Sequence, residues 1–344
     1  MNLMRRDQWI YAMLWQLSDP LKSADAAPQT AISPGVLRRM LAIARIQGVL
    51  GIVTQKLAGQ APHAPDVWEA AQRCWRAETV QSIRIRQHTK ILMRAFAQAN
   101  IPAVAIKGID FVDHLYPNPR LRPTMDVDVI VPREAWQQAT QVLESTGHEE
   151  KRDQPPMEFF TGTLGERSWV WRTAPRVEID LHWNLINFPT LRRRSSMEFK
   201  DLDWERSHTP EGPALKATPA TRLVIAASHA FHHHQFDHLL LLVDLQQACR
   251  GITNPAAVTA IGAMIDRTQI RPAVDASLAV AAAFLKDSHI DSIRREIART
   301  SRGNPPAEIP PDVLQDARKS LCTIRNHFNA PHRLRLRNWL RAVT

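Results

Sequence analysis

The chain has 344 residues, 44% hydrophobic and 23% charged, a balance that excludes an intrinsically disordered polypeptide and allows about two cores. A net charge of +10 with a pI near 10.1 predicts a surface that attracts anions, without choosing between nucleic acid, nucleotide, an anionic membrane face and plain solubility. Cys74, Cys249 and Cys322 are odd in number, far apart and contain no CxxC pair, which excludes a disulfide framework and a zinc–thiolate site and fits a reducing cytoplasm.

The first segment, MNLMRRDQWIYAMLWQL, interrupts with charge the stretch where a secretion signal needs an unbroken apolar region. The apolar run from Leu41 to Val53 is broken by Arg45 and Gln47, so no membrane span is expected. From Arg5 to about Asn100 the pattern is helical, with Ser33 as a cap and Pro34 opening one helix and a long helix over 64–99. Pro102 to Ile106 is a short apolar strand, Lys107-Gly108 follows, and Ile109 to Leu115 is a helix. The loop YPNPRLRPT carries too many prolines for regular structure.

Asp126 to Val131 alternates acidic and aliphatic residues and is predicted as a strand, followed by a helix from Arg133 to Ser145 that Gly147 ends. Segments 157–163 and 168–173 are expected to pair as a hairpin, and Arg176 to Trp183 is another alternating strand. Helices are predicted over 221–234, 239–248, 255–267 and 273–285. The final basic segment has seven Lys or Arg and no acid between Ala317 and Thr344, with Leu334, Leu336, Trp339 and Leu340 interleaved. It is read as closing over its own protein rather than docking on lipid or nucleic acid.

The chemistry concentrates in three acids. Asp126 and Asp128 sit two apart on one strand, so both carboxylates project to the same face. Such a pair repels itself unless one member is protonated or a divalent cation lies between them, and a hard ion such as Mg²⁺ or Mn²⁺ suits carboxylate oxygens. Asp180 lies between Ile179 and Leu181 on a similar strand. If the two strands are neighbours, a third carboxylate joins the pair as metal ligand or as base for an attacking hydroxyl. A D-x-D at a strand end is common by chance, so the order of elements around it has to carry the reading.

That order, in KGIDFVDHLYPNPRLRPTMDVDVIV, VEIDLHW and SHAFHHHQFDHLLLLVDL, resembles the nucleotidyltransferase superfamily, and most closely the bacterial family of uncharacterised nucleotidyltransferases. The resemblance implies an α+β fold with a small mixed sheet, Mg²⁺ on Asp126 and Asp128, and Asp180 as third acid. It departs from the superfamily where Lys107-Gly108 stands in place of a Gly-Ser pair, so the serine's usual phosphate contact is missing.

Around the acids, Gly108 opens a helix whose N-terminus favours an anion, Lys107 is expected to neutralise phosphate charge, and Arg122 to clamp it. Arg120 is read as a surface charge. His182 shares the face of Asp180, for proton transfer, phosphate orientation or structure alone. His229 and His233, spaced i, i+4, resemble half a zinc site but have no third ligand at helical spacing. They are read instead as approaching the cleft, with Asp244 as helix-borne partner.

The organisation expected is a helical N-terminal segment (1–100), an α/β catalytic core (101–210), a helical C-terminal domain (211–303) and a basic tail (304–344). The function expected is metal-dependent transfer of a nucleotidyl group from a nucleoside triphosphate, ATP among them, to an acceptor hydroxyl or phosphate on a small molecule, peptide or protein. The rivals are an inactive nucleotide-binding module, which the missing serine favours, and a nucleic-acid-binding protein, which the charge favours but no reader motif supports.

Overall fold

The computed structural model describes residues 3–22, 28, 30–159, 162–173, 176–209 and 212–300, so the basic tail lies outside the described residues. The chain opens with helices α1 (Leu3–Leu17), α2 (Pro34–Ile46) and α3 (Leu50–Lys56), then α4 (Pro65–Gln98). Pro34 occupies the first turn of α2 as expected, but Ser33 makes no side-chain cap bond. At 1.5 Å per residue the 34 residues of α4 span about 51 Å. That length lets α4 serve two cores: Val67 and Ala71 pack among the other helices, while Ile85, Leu92 and Phe96 pack on the sheet.

Next come β1 (Val104–Ile106), α5 (Gly108–Leu115), β2 (Val127–Ile130), α6 (Trp136–Ser145), β3 (His148–Glu150), β4 (Glu158–Phe159), β5 (Gly162–Thr163), β6 (Glu166–Trp171) and β7 (Glu178–His182). Five strands form a mixed sheet in the order β1-β2-β7-β6-β3, in which β2 and β7 are parallel and the other neighbours antiparallel. The expected hairpin does not form. The 157–163 segment folds back on itself as β4 and β5, while β6 pairs with β3 and β7, because the alternation of Glu166 to Trp171 matches a two-sided sheet position.

Beyond the sheet lie α7 (Pro189–Arg192), the hairpin β8 (Trp204–Thr209) and β9 (Gly212–Ala217), and helices α8 (Pro219–Ser228), α9 (Leu239–Arg250), α10 (Pro255–Thr268), α11 (Arg271–Leu285) and α12 (Ser288–Thr300). Every residue of α8 from Ala220 to Ser228 is buried, as its position among the other helices requires. The predicted helix over 221–234 does not stay α-helical: it widens into a π-helical turn, His229–His234. Strand β3, the β8–β9 hairpin and α12 have sequence signals too short or too polar to stand out. The fold is mixed α+β, with a small mixed sheet and a helical C-terminal part.

The sheet divides two cores. Val127, Val129, Val131, Ile179, Leu181 and Trp169 face α4 and α6. Val104, Ile106 and Ile130 face the larger core, which the N-terminal and C-terminal helices share. Because side chains alternate, Asp128 between Val127 and Val129, and Asp180 between Ile179 and Leu181, emerge on the opposite face, the one Ile130 shares with the larger core.

Candidate active site

Register decides which side chains meet. Asp128 lies opposite Asp180 on the parallel neighbours β2 and β7, and the next pair on the same face is Ile130 with His182. Across the antiparallel β6–β7 ladder Ser168 stands opposite Asp180 and Glu166 opposite His182. One face of the sheet thus carries a row of Ile106, Asp128, Asp180 and Ser168 beside a row of Val104, Ile130, His182 and Glu166. Asp126 precedes Asp128 by one alternation and joins the same face.

A buried chain of charges runs along these rows. Lys107 Nζ donates to Asp128 Oδ1 at 2.8 Å, His182 Nε2 contacts the same oxygen at 3.0 Å, and His182 Nδ1 lies 3.0 Å from Glu166 Oε2. Asn187 Nδ2 holds the other Glu166 oxygen at 2.7 Å. Burial disfavours the imidazolium, and Lys107 disfavours it further, but the two carboxylates raise the His182 pKa to about 9. His182 is therefore a cation bridging two anions at neutral pH.

The acids respond in opposite ways. Burial raises every carboxylate here, yet Lys107 and His182 hold Asp128 well below the usual range, and His182 takes Glu166 down to about 2. Asp126, half-buried and facing Asp128 and Asp180, is pushed up to about 7 by the loss of water around it and then by those two acids. Asp180 is also raised, by burial and then by Asp128, with His182 and Ser168 offsetting part of the shift. Four carboxylates, Asp126, Asp128, Asp180 and Glu166, thus face two cations, Lys107 and His182, and the excess negative charge rests on Asp126 and Asp180.

Lys107 is buried, and its backbone takes φ 49° and ψ −120°, a conformation that costs a non-glycine residue about 1–3 kcal/mol. The strain turns the chain from β1 into α5 and brings the ammonium onto Asp128. Gly108, the first residue of α5, has a different reason to be glycine. A Cβ there would stand 2.8 Å from Thr124 Cγ2. Thr124 is buried against this turn, its N–H donates to Ser82 Oγ at 3.0 Å, and its own hydroxyl has no hydrogen-bond partner among the described residues.

Arg122, expected at the phosphate, and Asp244, expected beside the histidines, pair with each other. Arg122 Nε and Nη2 donate to the two carboxylate oxygens of Asp244 at 2.9 and 2.8 Å and Nη1 reaches the Gly108 and Pro123 carbonyls, while the guanidinium stays close enough to Asp126 for each to act on the other's charge. Asp244 also accepts from Tyr116 Oη at 2.7 Å. Asp244 therefore anchors the Arg–Pro loop to α9 and is not the partner of the histidines. A second buried pair, Asp110 with Arg222, fastens α5 to α8 through contacts of 2.9 and 3.0 Å.

The histidine-rich turn does close the site. His233 Nε2 donates to the Leu185 carbonyl just after β7 at 2.9 Å. His229 is close enough that Lys107 and Asp128 both act on its charge; burial first, then Lys107, keeps it neutral, and its Nδ1 has no partner among the described residues. Among the expected residues, Asp126, Asp128, Asp180, Lys107, Gly108, His182, His229 and His233 converge, while Arg122 borders them with its guanidinium paired to Asp244. Glu166 and Thr124 were not anticipated. Glu166 opens an alternating strand, a weak signal, and Thr124 is one residue in a proline-rich loop with no signal of its own.

The sequence profile of the family described as uncharacterised nucleotidyltransferase matches residues 36–286. The chain belongs to this family. That span runs from α2 to the beginning of α12's approach and includes every residue of the acidic sheet face. None of the curated proteins matches the chain. Among solved structures, an antigenic nucleotidyltransferase-like protein from Paracoccidioides brasiliensis is similar at 14% identity, covering 64% of this chain and 92% of its own, with a TM-score of 0.38. The antibiotic-resistance factor ANT(2'')-Ia in solution is similar at 14% identity, with 55% and 94% coverage and a TM-score of 0.36. The same factor in complex with adenylyl-2''-tobramycin gives 13%, 53%, 98% and 0.35.

Proposed function

We propose that this member of the family transfers a nucleotidyl group from a nucleoside triphosphate to an acceptor oxygen, with Mg²⁺ or Mn²⁺ held by Asp126, Asp128 and Asp180. The in-register pairing of Asp128 with Asp180 on parallel strands carries the reading, because it gathers three carboxylates on one face. The donor set fits a hard divalent cation: Asp128 already has Lys107 and His182 in contact, whereas among the described residues Asp126 and Asp180 form no ion pair and bear raised pKa values. When bound, the ion would neutralise phosphate charge and polarise the phosphoryl oxygens.

The acceptor oxygen attacks the α-phosphorus; a new P–O bond forms as the bond to the bridging oxygen breaks, and pyrophosphate departs with the electron pair. Asp180, in register with Asp128 on the same sheet face, takes the acceptor proton. Lys107 and His182 keep Asp128 ionised and oriented throughout. The N-terminal N–H groups of α5 and the unpartnered Thr124 hydroxyl beside Gly108 supply phosphate contacts, in the role a serine has elsewhere in the superfamily. In this scheme residues 101–210 carry the chemistry and 211–303, through His229 and His233, wall the acceptor side, inside the cytoplasm.

The test is incubation of the purified chain with each labelled nucleoside triphosphate, Mg²⁺ and a cell extract as acceptor pool, reading pyrophosphate release and label transfer. Release by the wild type, lost by about 10³-fold in a folded Asp128→Asn variant, is the expected outcome. No release from any nucleotide, or release undiminished in Asp128→Asn, overturns the proposal.

A further inference from the structure

Just beyond the π-helical turn the chain reverses in an unusual way. Gln235 and Phe236 are consecutive non-glycine residues in the left-handed region, at φ 51° and 58°. The reversal is held from within: Phe236 is fully buried, its N–H donates to the Ala230 carbonyl at 3.0 Å, and Asp237 N–H donates to the His234 carbonyl at 3.2 Å. On the far side Leu239 N–H donates to Gln47 Oε1 at 2.7 Å, which fixes where α9 begins. Strain maintained by this much surrounding structure commonly marks a functional turn, and so does a π-helical segment.

The reversal brings together His234, Asp237 and His238. Among the described residues these are the one group of three His, Cys, Asp or Glu side chains whose donor atoms all lie within 4.8 Å of one another. His234 Nδ1 stands 3.4 Å from Asp237 Oδ1, and His238 Nδ1 stands 2.5 Å from the same oxygen. Ligands at 2.0–2.2 Å from a tetrahedral ion are about 3.3–3.5 Å apart, so the first separation already fits and the second opens by roughly 1 Å as the ion replaces the hydrogen bond. All three side chains are half-buried, which leaves one side for water as a fourth ligand.

We propose that His234, Asp237 and His238 form a second metal site, one that takes a borderline transition ion such as Zn²⁺. Two imidazoles and one carboxylate disfavour Mg²⁺, which requires oxygen donors in octahedral array, so this site and the acidic sheet face differ in the ions they select. The ion pins the turn that supports the active-site wall: His229 packs edge-on against His234 with ring centres 4.6 Å apart, and lies 5.6 Å from His233, which is itself bonded to the loop after β7. The site stands whether or not the acidic face transfers nucleotides.

Titration of the EDTA-stripped full-length chain with Zn²⁺, and with Co²⁺ to read ligand geometry from visible absorption, tests the proposal. One tight equivalent with a tetrahedral Co²⁺ spectrum is expected, unaffected by millimolar Mg²⁺ and retained in Asp128→Asn. His238→Ala and the more exposed His234→Gln should each weaken binding by more than ~100-fold, beyond what losing a supporting partner costs. Absence of a tight equivalent in the wild type, displacement by Mg²⁺, or unchanged affinity in folded His234→Gln overturns it. Should His238→Ala not fold, the wild-type Co²⁺ spectrum and the His234 variant still decide.

Discussion

Replacing Thr124 by valine should move stability and nucleotide affinity in opposite directions. The Thr124 hydroxyl is buried without a partner among the described residues, and such a group costs about 1–3 kcal/mol. Valine has nearly the same shape, keeps a methyl against Gly108, and leaves the backbone bond to Ser82 untouched. The nucleotide-free variant is therefore expected to gain about 1 kcal/mol, read as a higher urea midpoint at unchanged slope. With nucleotide bound, the variant lacks a hydrogen bond to a charged phosphate, worth about 1.5–3 kcal/mol. Affinity for a non-hydrolysable nucleoside triphosphate, measured by titration calorimetry with Mg²⁺, should fall by roughly 10- to 100-fold. A nucleotide-free variant less stable than the wild type would show that the hydroxyl already has a partner. Unchanged affinity would remove Thr124 from the phosphate site.

Cutting Arg122 back to methionine strands the buried Asp244 carboxylate and should cost about 3–5 kcal/mol in urea unfolding, with most of the loss recovered in the R122M/D244L double variant. Near-normal stability in R122M with impaired nucleotide binding alone would instead restore the clamp reading. The buried pair His88 and His148, joined Nε2 to Nε2 at 2.7 Å, predicts a pH dependence. His148 Nδ1 faces the Leu143 carbonyl, so His148 Nε2 accepts from His88. Burial, with His88 adding to it, lowers the His148 pKa to about 4 from an ordinary 6.5, so the unfolded chain binds a proton between those values that the fold refuses. Its stabilisation is complete above about pH 6.5 and lost as pH falls toward 4, by about 1–2 kcal/mol after allowance for solvent screening. The wild-type minus His148→Phe difference in unfolding free energy should show that slope, and a flat difference from pH 7 to 4 would refute it.

Much of this site was legible in one dimension. The D-x-D spacing on an alternating strand obliges Asp126 and Asp128 to share a face, and VEIDLHW does the same for Asp180 and His182, because the period of a strand is a property of the backbone. The helices announced themselves through a proline at the first turn, as in α2, and through apolar residues at helical spacing. Local signals of this kind need no partner to be read.

The partners themselves were decided in three dimensions. Whether Asp180 stands opposite Asp128 depends on which strands become neighbours and in what register, and a shift by one residue would have turned it to the valine face. Arg122 shows the same limit from the other side: its place in the loop suggested phosphate, but folding set Asp244 within reach, 122 positions away in the chain. Glu166, Thr124 and the His234–Asp237–His238 group acquire meaning only from what surrounds them. Sequence periodicity settles the face on which a charge emerges, whereas burial and pairing, which set its pKa and its chemistry, arise only when distant segments exclude water together.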